Sequence, residues 1–211
     1  MEVNMRKSKI AVLVSGGGTN LQALIDAQSK GTIKSGEIAL VISSNDTAFA
    51  LERAKKHNIP SVAVSKKACG SQAQFEERIH TALTEHGIQL IVLAGFMSIL
   101  SADFVAKWPK RIINVHPALI PSFCGEGYYG LRVHEAALKY GVKITGATVH
   151  FVNEIPDGGE IILQKSVPVY KQDTPEALQK RVMERAEWII LPRAAELISS
   201  KILKEGDNYG L

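Results

Sequence analysis

Asn114 and His116, near the middle of the chain, are suited to handling charge at a carbonyl group. They stand in Asn114-Val115-His116-Pro117, at the end of a short apolar run. Residues two apart on a strand share a face, so both side chains are expected to point into the same space. An amide donates hydrogen bonds, and an imidazole can donate or accept a proton near neutral pH. The pair could act in catalysis, or the His-Pro pair could simply end a strand with the imidazole bonded to a carbonyl.

Asp157 is the acid that could support this imidazole. It lies in Pro156-Asp157-Gly158, a strong turn tripeptide, so the segment could equally be only a tight turn. Beside an imidazole, its carboxylate would orient the ring or hold it protonated. In that case the pKa of His116 is expected to lie above its usual value of about 6.5.

A glycine-rich segment, Ser15-Gly16-Gly17-Gly18-Thr19-Asn20, follows the first apolar run and precedes a helical pattern. Glycines let a ligand approach the backbone closely, and N–H groups at a helix N-terminus bind anions. The segment therefore predicts a phosphate site, with an ordinary strand–helix turn as the alternative. It is a poor dinucleotide fingerprint, because Leu21 stands where the third glycine belongs, and it is not a Walker A loop.

Apolar runs alternate with helical patterns up to His116. The runs are continuous rather than alternating, which predicts a parallel sheet covered by helices on both faces. In such folds ligands bind at the carboxyl ends of the strands, where Asn114 and His116 stand. The predicted strands are residues 10–14, 38–43, 61–64, 90–94 and 112–115, and the predicted helices are 21–29, 48–57, 72–86 and 102–107.

The pattern changes after His116. A Pro- and Gly-rich loop is predicted over 117–130, then a helix over 131–140, two antiparallel strands over 143–152 and 160–169, and a helix from Thr174 to about 203, bent near Pro192. The loop over 122–130 has little aliphatic content and is expected to be mobile. The fold class is therefore α/β: one doubly wound, mostly parallel domain over 1–211, with halves at roughly 8–120 and 121–203.

Composition excludes several classes of protein. Hydrophobic residues make up 45% and charged residues 22% of the chain, as in globular proteins. Two cysteines exclude a disulfide scaffold and CxxC-type zinc sites and suit a reducing cytoplasm, and Cys124 is not interpreted as a nucleophile. A net charge of +4 with 6% aromatic residues argues against nucleic acid. The longest apolar run, Leu90–Met97, is far short of the ~20 residues of a membrane helix, and no signal peptide is expected.

Four segments together resemble a known family. They are residues 15–22, 93–97, 113–121 and 148–159, and the resemblance extends from about residue 8 to residue 195. The chain is similar to the phosphoribosylglycinamide formyltransferases, folate-dependent enzymes of purine synthesis. The resemblance implies transfer from 10-formyltetrahydrofolate to glycinamide ribonucleotide, without a metal, nicotinamide or flavin. It implies small-molecule partners only, no nucleic acid or membrane, and a cytoplasmic monomer or homodimer.

The resemblance also implies roles for individual residues. The catalytic set is Asn114, His116 and Asp157. The ribonucleotide set is Gly18, Thr19, Asn20 and Glu187. The folate set is Met97, Ser98, Ile99, Leu100, Asn114, Asn153, Glu154, Ile155, Pro156 and Asp157. His150, in the middle of a predicted strand, is interpreted instead as a core histidine.

The chain departs from the family pattern at several positions. Gln72 stands where an Arg or Lys usually touches the phosphate, Ser98 replaces a common Arg, and Glu187-Trp188 replaces a Glu-His pair. The loop over 122–130 is several residues longer than usual. Two alternatives stay open. The first is another formyl-handling enzyme, either a hydrolase of formyltetrahydrofolate or a transferase acting on initiator tRNA or a sugar. The second is a nucleotide-binding module or dehydrogenase that uses the glycine loop alone.

Overall fold

The apolar runs form the strands of a central sheet. The computed structural model describes residues 6–206 and Gly210, so residues 1–5, 207–209 and 211 of the predicted domain lie outside the described residues. The strands are β1 (Ser8–Val14), β2 (Gly36–Ser43), β3 (Ser61–Ala63), β4 (Leu90–Leu93), β5 (Ile112–His116), β6 (Ile144–Phe151) and β7 (Ile161–Pro168). In the sheet their order is β3-β2-β1-β4-β5-β6-β7.

The strand directions confirm the predicted class. Strands β1 to β5 run parallel, whereas β6 pairs antiparallel with both β5 and β7. The chain winds outward from β1 through β2 to β3, then returns to add β4 on the other side of β1. This reversal opens a crevice at the carboxyl ends of β1 and β4, the usual ligand position in a doubly wound sheet. The two ends stay joined there, because the Ser15 N–H donates to the Gly95 carbonyl at 3.1 Å.

Helices cover both faces of the sheet, as the continuous apolar strands predicted. They are α1 (Thr19–Ser29), α2 (Phe49–Lys56), α3 (Lys66–Cys69), α4 (Gln72–Glu85), α5 (Ala102–Ala106), α6 (Leu131–Tyr140), α7 (Pro175–Val182) and α8 (Trp188–Glu205). One core includes Leu21 of α1 and Ile198 of α8, and the other includes Phe75 of α4 and Phe104 of α5. None of the helices in the described part of the chain has the length and hydrophobicity needed to cross a bilayer.

The C-terminal helix departs from the sequence prediction. It begins at the expected Thr174 cap, whose side chain accepts from the Ala177 N–H. Helical conformation then continues to Glu205, as predicted, but with a segment that the sequence analysis did not anticipate. A π-helical segment, Met183–Glu187, separates α7 from α8, and Pro192 lies inside α8. A π turn accommodates one extra residue, so the helix widens before the proline is reached.

Gly146 in β6 offers a test of the packing between β6 and β7. A Cβ atom at this position would lie 2.1 Å from the Lys165 carbonyl oxygen on β7. We expect Gly146→Ala to destabilise the fold by about 3 kcal/mol, because the backbones would have to separate. Chemical denaturation measures this loss. Gly16→Ala is the control, since a Cβ there meets nothing within 4 Å; equal stability of the two variants would contradict the expected clash.

Candidate active site

The predicted catalytic residues meet at the end of β5. Asn114 and His116 project from this strand, and Asp157 reaches them from the turn between β6 and β7. His116 Nδ1 lies 3.3 Å from Asp157 Oδ2, and Asn114 Nδ2 donates to Asp157 Oδ1 at 3.5 Å. His116 is only 4% exposed, so this contact is shielded from water. The three side chains therefore form one polar cluster around a single carboxylate.

His150 belongs to the same cluster, which the sequence analysis missed. It lies opposite Asn114 in the register of β5 and β6. Its Nε2 is 3.3 Å from Asn114 Nδ2 and 3.5 Å from Asp157 Oδ1, and its Nδ1 is 2.7 Å from the Phe151 carbonyl. A proton on Nδ1 satisfies that carbonyl, so Nε2 accepts from the Asn114 amide in the neutral ring and donates to Asp157 Oδ1 when the ring is protonated. His150 thus orients Asn114 rather than only filling the core.

The long loop after β5 contacts both His116 and Asp157. His116 Nε2 donates to the Phe123 carbonyl at 2.8 Å, and the Gly125 N–H donates to Asp157 Oδ2 at 2.9 Å. Phe123 and Asp157 both have positive φ, 51° and 55°, a conformation that is unfavourable for residues other than glycine. These bonds attach the first part of the loop to the cluster, while the mobility of the segment over 122–130 stays a prediction.

Burial decides the charge of His116. Desolvation lowers its pKa below the usual value of 6.5, and the Asp157 carboxylate and the Phe123 carbonyl only partly offset this effect. The expectation of a raised pKa is therefore wrong, because the loop and the sheet bury the ring more strongly than one carboxylate can compensate. Near neutral pH the resting ring is uncharged.

The pKa values of two groups near His116, Asp157 and His134, are also shifted. Burial raises the pKa of Asp157, but the hydrogen bond with His150, the charge of His116 and the Gly125 N–H together hold it below its usual range. Burial and the proximity of His116 lower the pKa of His134, in the first turns of α6, to about 4. The site therefore holds one carboxylate anion near His116 and His134, whose imidazole pKa values both lie below their usual range.

Asn114 and Asp157 form part of the walls of two cavities. The smaller, of about 140 Å³, lies between the segments 96–100 and 152–157 and is lined by every residue of the predicted folate set except Met97. The larger, of about 640 Å³, is lined by Met97, His116 and the loop over 125–130, among others. Two ligands in these cavities would meet beside Asn114 and Asp157.

The glycine loop lies beside the larger cavity. The Met97 N–H donates to Ser15 Oγ at 2.8 Å, so the loop touches the segment that lines this cavity. Gly18 has φ 69°, and a Cβ there would lie 2.7 Å from the Ala50 Cβ of α2, so this glycine is required by the fold itself. Thr19 and Asn20 begin α1 and leave their N–H groups available at its N-terminus.

The fourth predicted ribonucleotide residue, Glu187, is brought to the loop by the π segment. Asn20 Nδ2 donates to Glu187 Oε2 at 2.7 Å, and both residues are buried. Burial raises the pKa of Glu187 to about 7, although the bond from Asn20 opposes this. The buried carboxyl is thus poised between its acid and anionic forms near neutral pH.

Two positions that depart from the family pattern, Gln72 and Ser98, lie at or beside the segment 96–100 that lines the smaller cavity. Gln72 Nε2 donates to the Ile99 carbonyl at 3.0 Å and also to the Glu76 carboxylate. Ser98 lines the smaller cavity. Among the described residues, no group of three or more His, Cys, Asp or Glu side chains is arranged to hold a metal ion.

Comparison with known proteins agrees with this geometry. The sequence model of a family described as formyl transferase matches residues 8–195. The chain belongs to the formyl transferase family. Its relatives in this family include the phosphoribosylglycinamide formyltransferase of Haemophilus influenzae, 40% identical over 95% of this chain and 91% of the relative, and the chloroplastic enzyme of Arabidopsis thaliana, 38% identical over 98% of this chain and 70% of the relative.

Longer family members and solved structures also match. The trifunctional purine biosynthetic protein adenosine-3 of Gallus gallus is 43% identical over 98% of this chain, but the chain spans only 20% of that protein. The crystal structure of glycinamide ribonucleotide transformylase 1 from Symbiobacterium toebii superimposes with a TM-score of 0.86 at 38% identity, covering 92% of this chain and 89% of that one. The formyltransferase resemblance and the fold class are thereby confirmed.

Glu187 predicts a specific dependence of stability on pH. Its folded-state pKa of about 7 lies above the usual 4.5, so the folded state binds the proton more tightly. The stability that depends on this proton is therefore lost as the pH rises from 4.5 to 7. Glu187→Gln has no proton to lose and should be more stable than the parent protein at pH 8, by about 3 kcal/mol at most.

Thermal unfolding at pH 5 and pH 8 measures this difference. Glu184→Gln is the matched control, because Glu184 is on the same π segment but is partly exposed beside Lys180. The Glu187→Gln advantage should shrink at pH 5, whereas the control should stay close to the parent at both values. An advantage that is equal at pH 5 and pH 8 would contradict a raised Glu187 pKa.

Proposed function

We propose that the protein transfers the formyl group of 10-formyltetrahydrofolate to the amine of glycinamide ribonucleotide, a step of purine (IMP) biosynthesis. The observation that carries this proposal is the position of Asn114, His116 and Asp157 where two cavities meet. The smaller cavity would hold the folate, and the larger would lead the ribonucleotide from the glycine loop to the catalytic cluster. The names of the relatives support this choice of substrates.

The reaction needs a stabilised oxyanion. The amine attacks the formyl carbon, and the carbonyl oxygen gains negative charge as the tetrahedral intermediate forms. Asn114 has a second amide hydrogen beside the one directed to Asp157 and His150, and it can donate that hydrogen to this oxygen. One such donor in a water-excluded site contributes about 3 kcal/mol to transition-state stabilisation. His116, once protonated, can stabilise the same oxygen by its positive charge, since its two N–H groups are directed to the Phe123 carbonyl and to Asp157.

The proton of the attacking amine has to reach the folate nitrogen that leaves. A neutral His116 is suited to accept it, through a water, because its lowered pKa leaves the ring unprotonated near neutral pH. Nε2 already carries the hydrogen that bonds to Phe123, so the new proton arrives at Nδ1, beside Asp157 Oδ2. Asp157 stabilises the cation until the proton passes to the folate nitrogen. No covalent intermediate, metal or redox cofactor is needed.

The remaining predicted residues would bind the two substrates. The ribonucleotide phosphate would lie against the N–H groups of Gly18, Thr19 and Asn20, at the positive end of α1. The Glu187 carboxyl would contact the same substrate. The residues of the smaller cavity would hold the folate, whose formyl group would then face Asn114. In this proposal the chain acts as one formyltransferase domain, as a monomer or homodimer.

A two-substrate assay tests the proposal. Purified protein is incubated with glycinamide ribonucleotide and 10-formyltetrahydrofolate, and the folate absorbance is followed. We expect turnover only when both substrates are present. Folate turnover without the ribonucleotide would instead indicate a hydrolase, no turnover with this acceptor would reject the proposed substrate, and binding of NAD(H) would favour the dehydrogenase alternative.

Asp157→Asn tests the proton path. The variant keeps the shape of the side chain but removes the charge that raises the His116 pKa, so that pKa should fall further below 6.5. Turnover should drop by about a hundredfold or more, with much smaller changes in either KM, because a relay group acts mainly in the transition state. NMR titration of His116 and steady-state kinetics measure both effects. An unchanged pKa with near-normal turnover would leave Asp157 as a turn residue only.

Gly17 is a better probe of the phosphate site than Gly18. A Cβ at Gly17 meets nothing within 4 Å, so Gly17→Val should fold normally but obstruct the approach of the phosphate to the backbone. We expect the KM for the ribonucleotide to rise about tenfold or more, equivalent to at least 1.4 kcal/mol, with the KM for the folate little changed. Gly18→Ala should mainly lower the melting temperature. Equal increases in both KM values for Gly17→Val would mean that the loop does not bind one substrate selectively.

A further inference from the structure

Helix α2 donates hydrogen bonds to the backbone of the glycine loop. The Ala50 N–H, at the start of this helix, donates to the Gly16 carbonyl at 3.1 Å. Arg53, one turn later, donates from Nε to the Gly17 carbonyl at 2.8 Å. Two successive carbonyls of the loop are therefore directed toward α2.

This arrangement determines where the loop N–H groups point. In a trans peptide the N–H is directed opposite to the C=O of the same peptide plane. The N–H groups of Gly17 and Gly18, which follow the two captured carbonyls, consequently face away from α2. Neither N–H donates to another group in the part of the chain that the structure describes. They are two free donors next to the N-terminus of α1.

Arg53 is itself held in place. Its Nη1 donates to Gln22 Oε1 on α1 at 3.0 Å, and its guanidinium carbon lies 5.0 Å from the centre of the Phe49 ring. The side chain is half-buried. It therefore connects α1, α2 and the loop between β1 and α1, and it places a fixed positive charge beside the loop.

We propose that Arg53 is a positioning residue for the substrate phosphate. It fixes the peptide between Gly17 and Gly18, so that the Gly18 N–H is directed outward to the anion. Flanking glycines allow this peptide to rotate, and a rotated peptide would present its carbonyl oxygen to the phosphate and repel it. The inference rests on the proposed function only in identifying the anion as the phosphate of the ribonucleotide.

The chemistry of the guanidinium distinguishes this role from simple charge. A lysine at position 53 would keep the positive charge, but its ammonium is a single point without the planar fork that reaches the Gly17 carbonyl and Gln22 together. Arg53→Lys should therefore restore little of what Arg53→Met loses. Lys56→Met is the control, because it removes one positive charge from the exposed end of the same helix.

Binding of inorganic phosphate provides a readout that needs no catalysis. In the parent protein, phosphate should shift the backbone amide resonances of Gly17 and Gly18 in a ¹⁵N-labelled sample. Arg53→Met and Arg53→Lys should weaken this binding about tenfold, and Lys56→Met should leave it within about twofold. In kinetics the two Arg53 variants should raise the KM for the ribonucleotide by the same factor, with kcat and the KM for the folate nearly unchanged. Thermal unfolding confirms that each variant is folded.

Four outcomes would overturn the inference. First, the Gly17 and Gly18 amides of the parent protein do not respond to phosphate, or, second, Arg53→Met binds phosphate as well as Lys56→Met does. Third, Arg53→Lys fully restores binding, which would show that charge alone suffices. Fourth, the Arg53 variants lose kcat and KM for the ribonucleotide to an equal extent. If Arg53→Met does not fold, Arg53→Lys decides between positioning and charge. Failure of the proposed function can be distinguished from failure of this inference. If the parent protein showed no turnover, phosphate binding and its dependence on Arg53 could still be measured.

Discussion

The site depends on how one buried carboxylate is satisfied. Asp157 is surrounded by His116, His150, Asn114 and the Gly125 N–H, and its side chain is only 14% exposed. A carboxylate in this position is tolerated only if hydrogen bonds and opposite charge replace its lost hydration. These groups come from three parts of the fold: His116 and Asn114 from β5, His150 from β6, and Gly125 from the long loop after β5.

Local sequence patterns predict those features of the site that depend on one helix or strand at a time. Continuous apolar runs predicted the parallel strands, and the spacing of Asn114 and His116 predicted that they share a face. The role of His150 was not accessible in this way, because it depends on which residue of β6 faces Asn114, and that register is set by tertiary pairing. The Gly125 N–H is a backbone donor in an irregular loop, so it has no side-chain signature at all.

One expectation of the sequence analysis was wrong and one feature of the fold was not predicted, and the causes are related. The pKa of His116 was expected to follow its nearest charge, but it follows burial, which depends on how the loop covers the ring. A bend of the last helix was expected near Pro192, whereas the π segment Met183–Glu187 was not predicted. Proline is a local signal, whereas a π turn is retained when tertiary contacts favour it. Here the Asn20–Glu187 contact is such an interaction.

That π segment has a further consequence for how this chain can change over time. A π turn is, in effect, a one-residue insertion that a helix absorbs locally, so the residues on either side keep their packing. Deleting a single residue between Met183 and Glu187 would restore a regular helix and leave the hydrophobic faces of α7 and α8 matched to the sheet. The carboxyl of Glu187 would then be withdrawn from Asn20. The segment is thus a place where an indel would remove the Asn20–Glu187 contact while sparing the architecture.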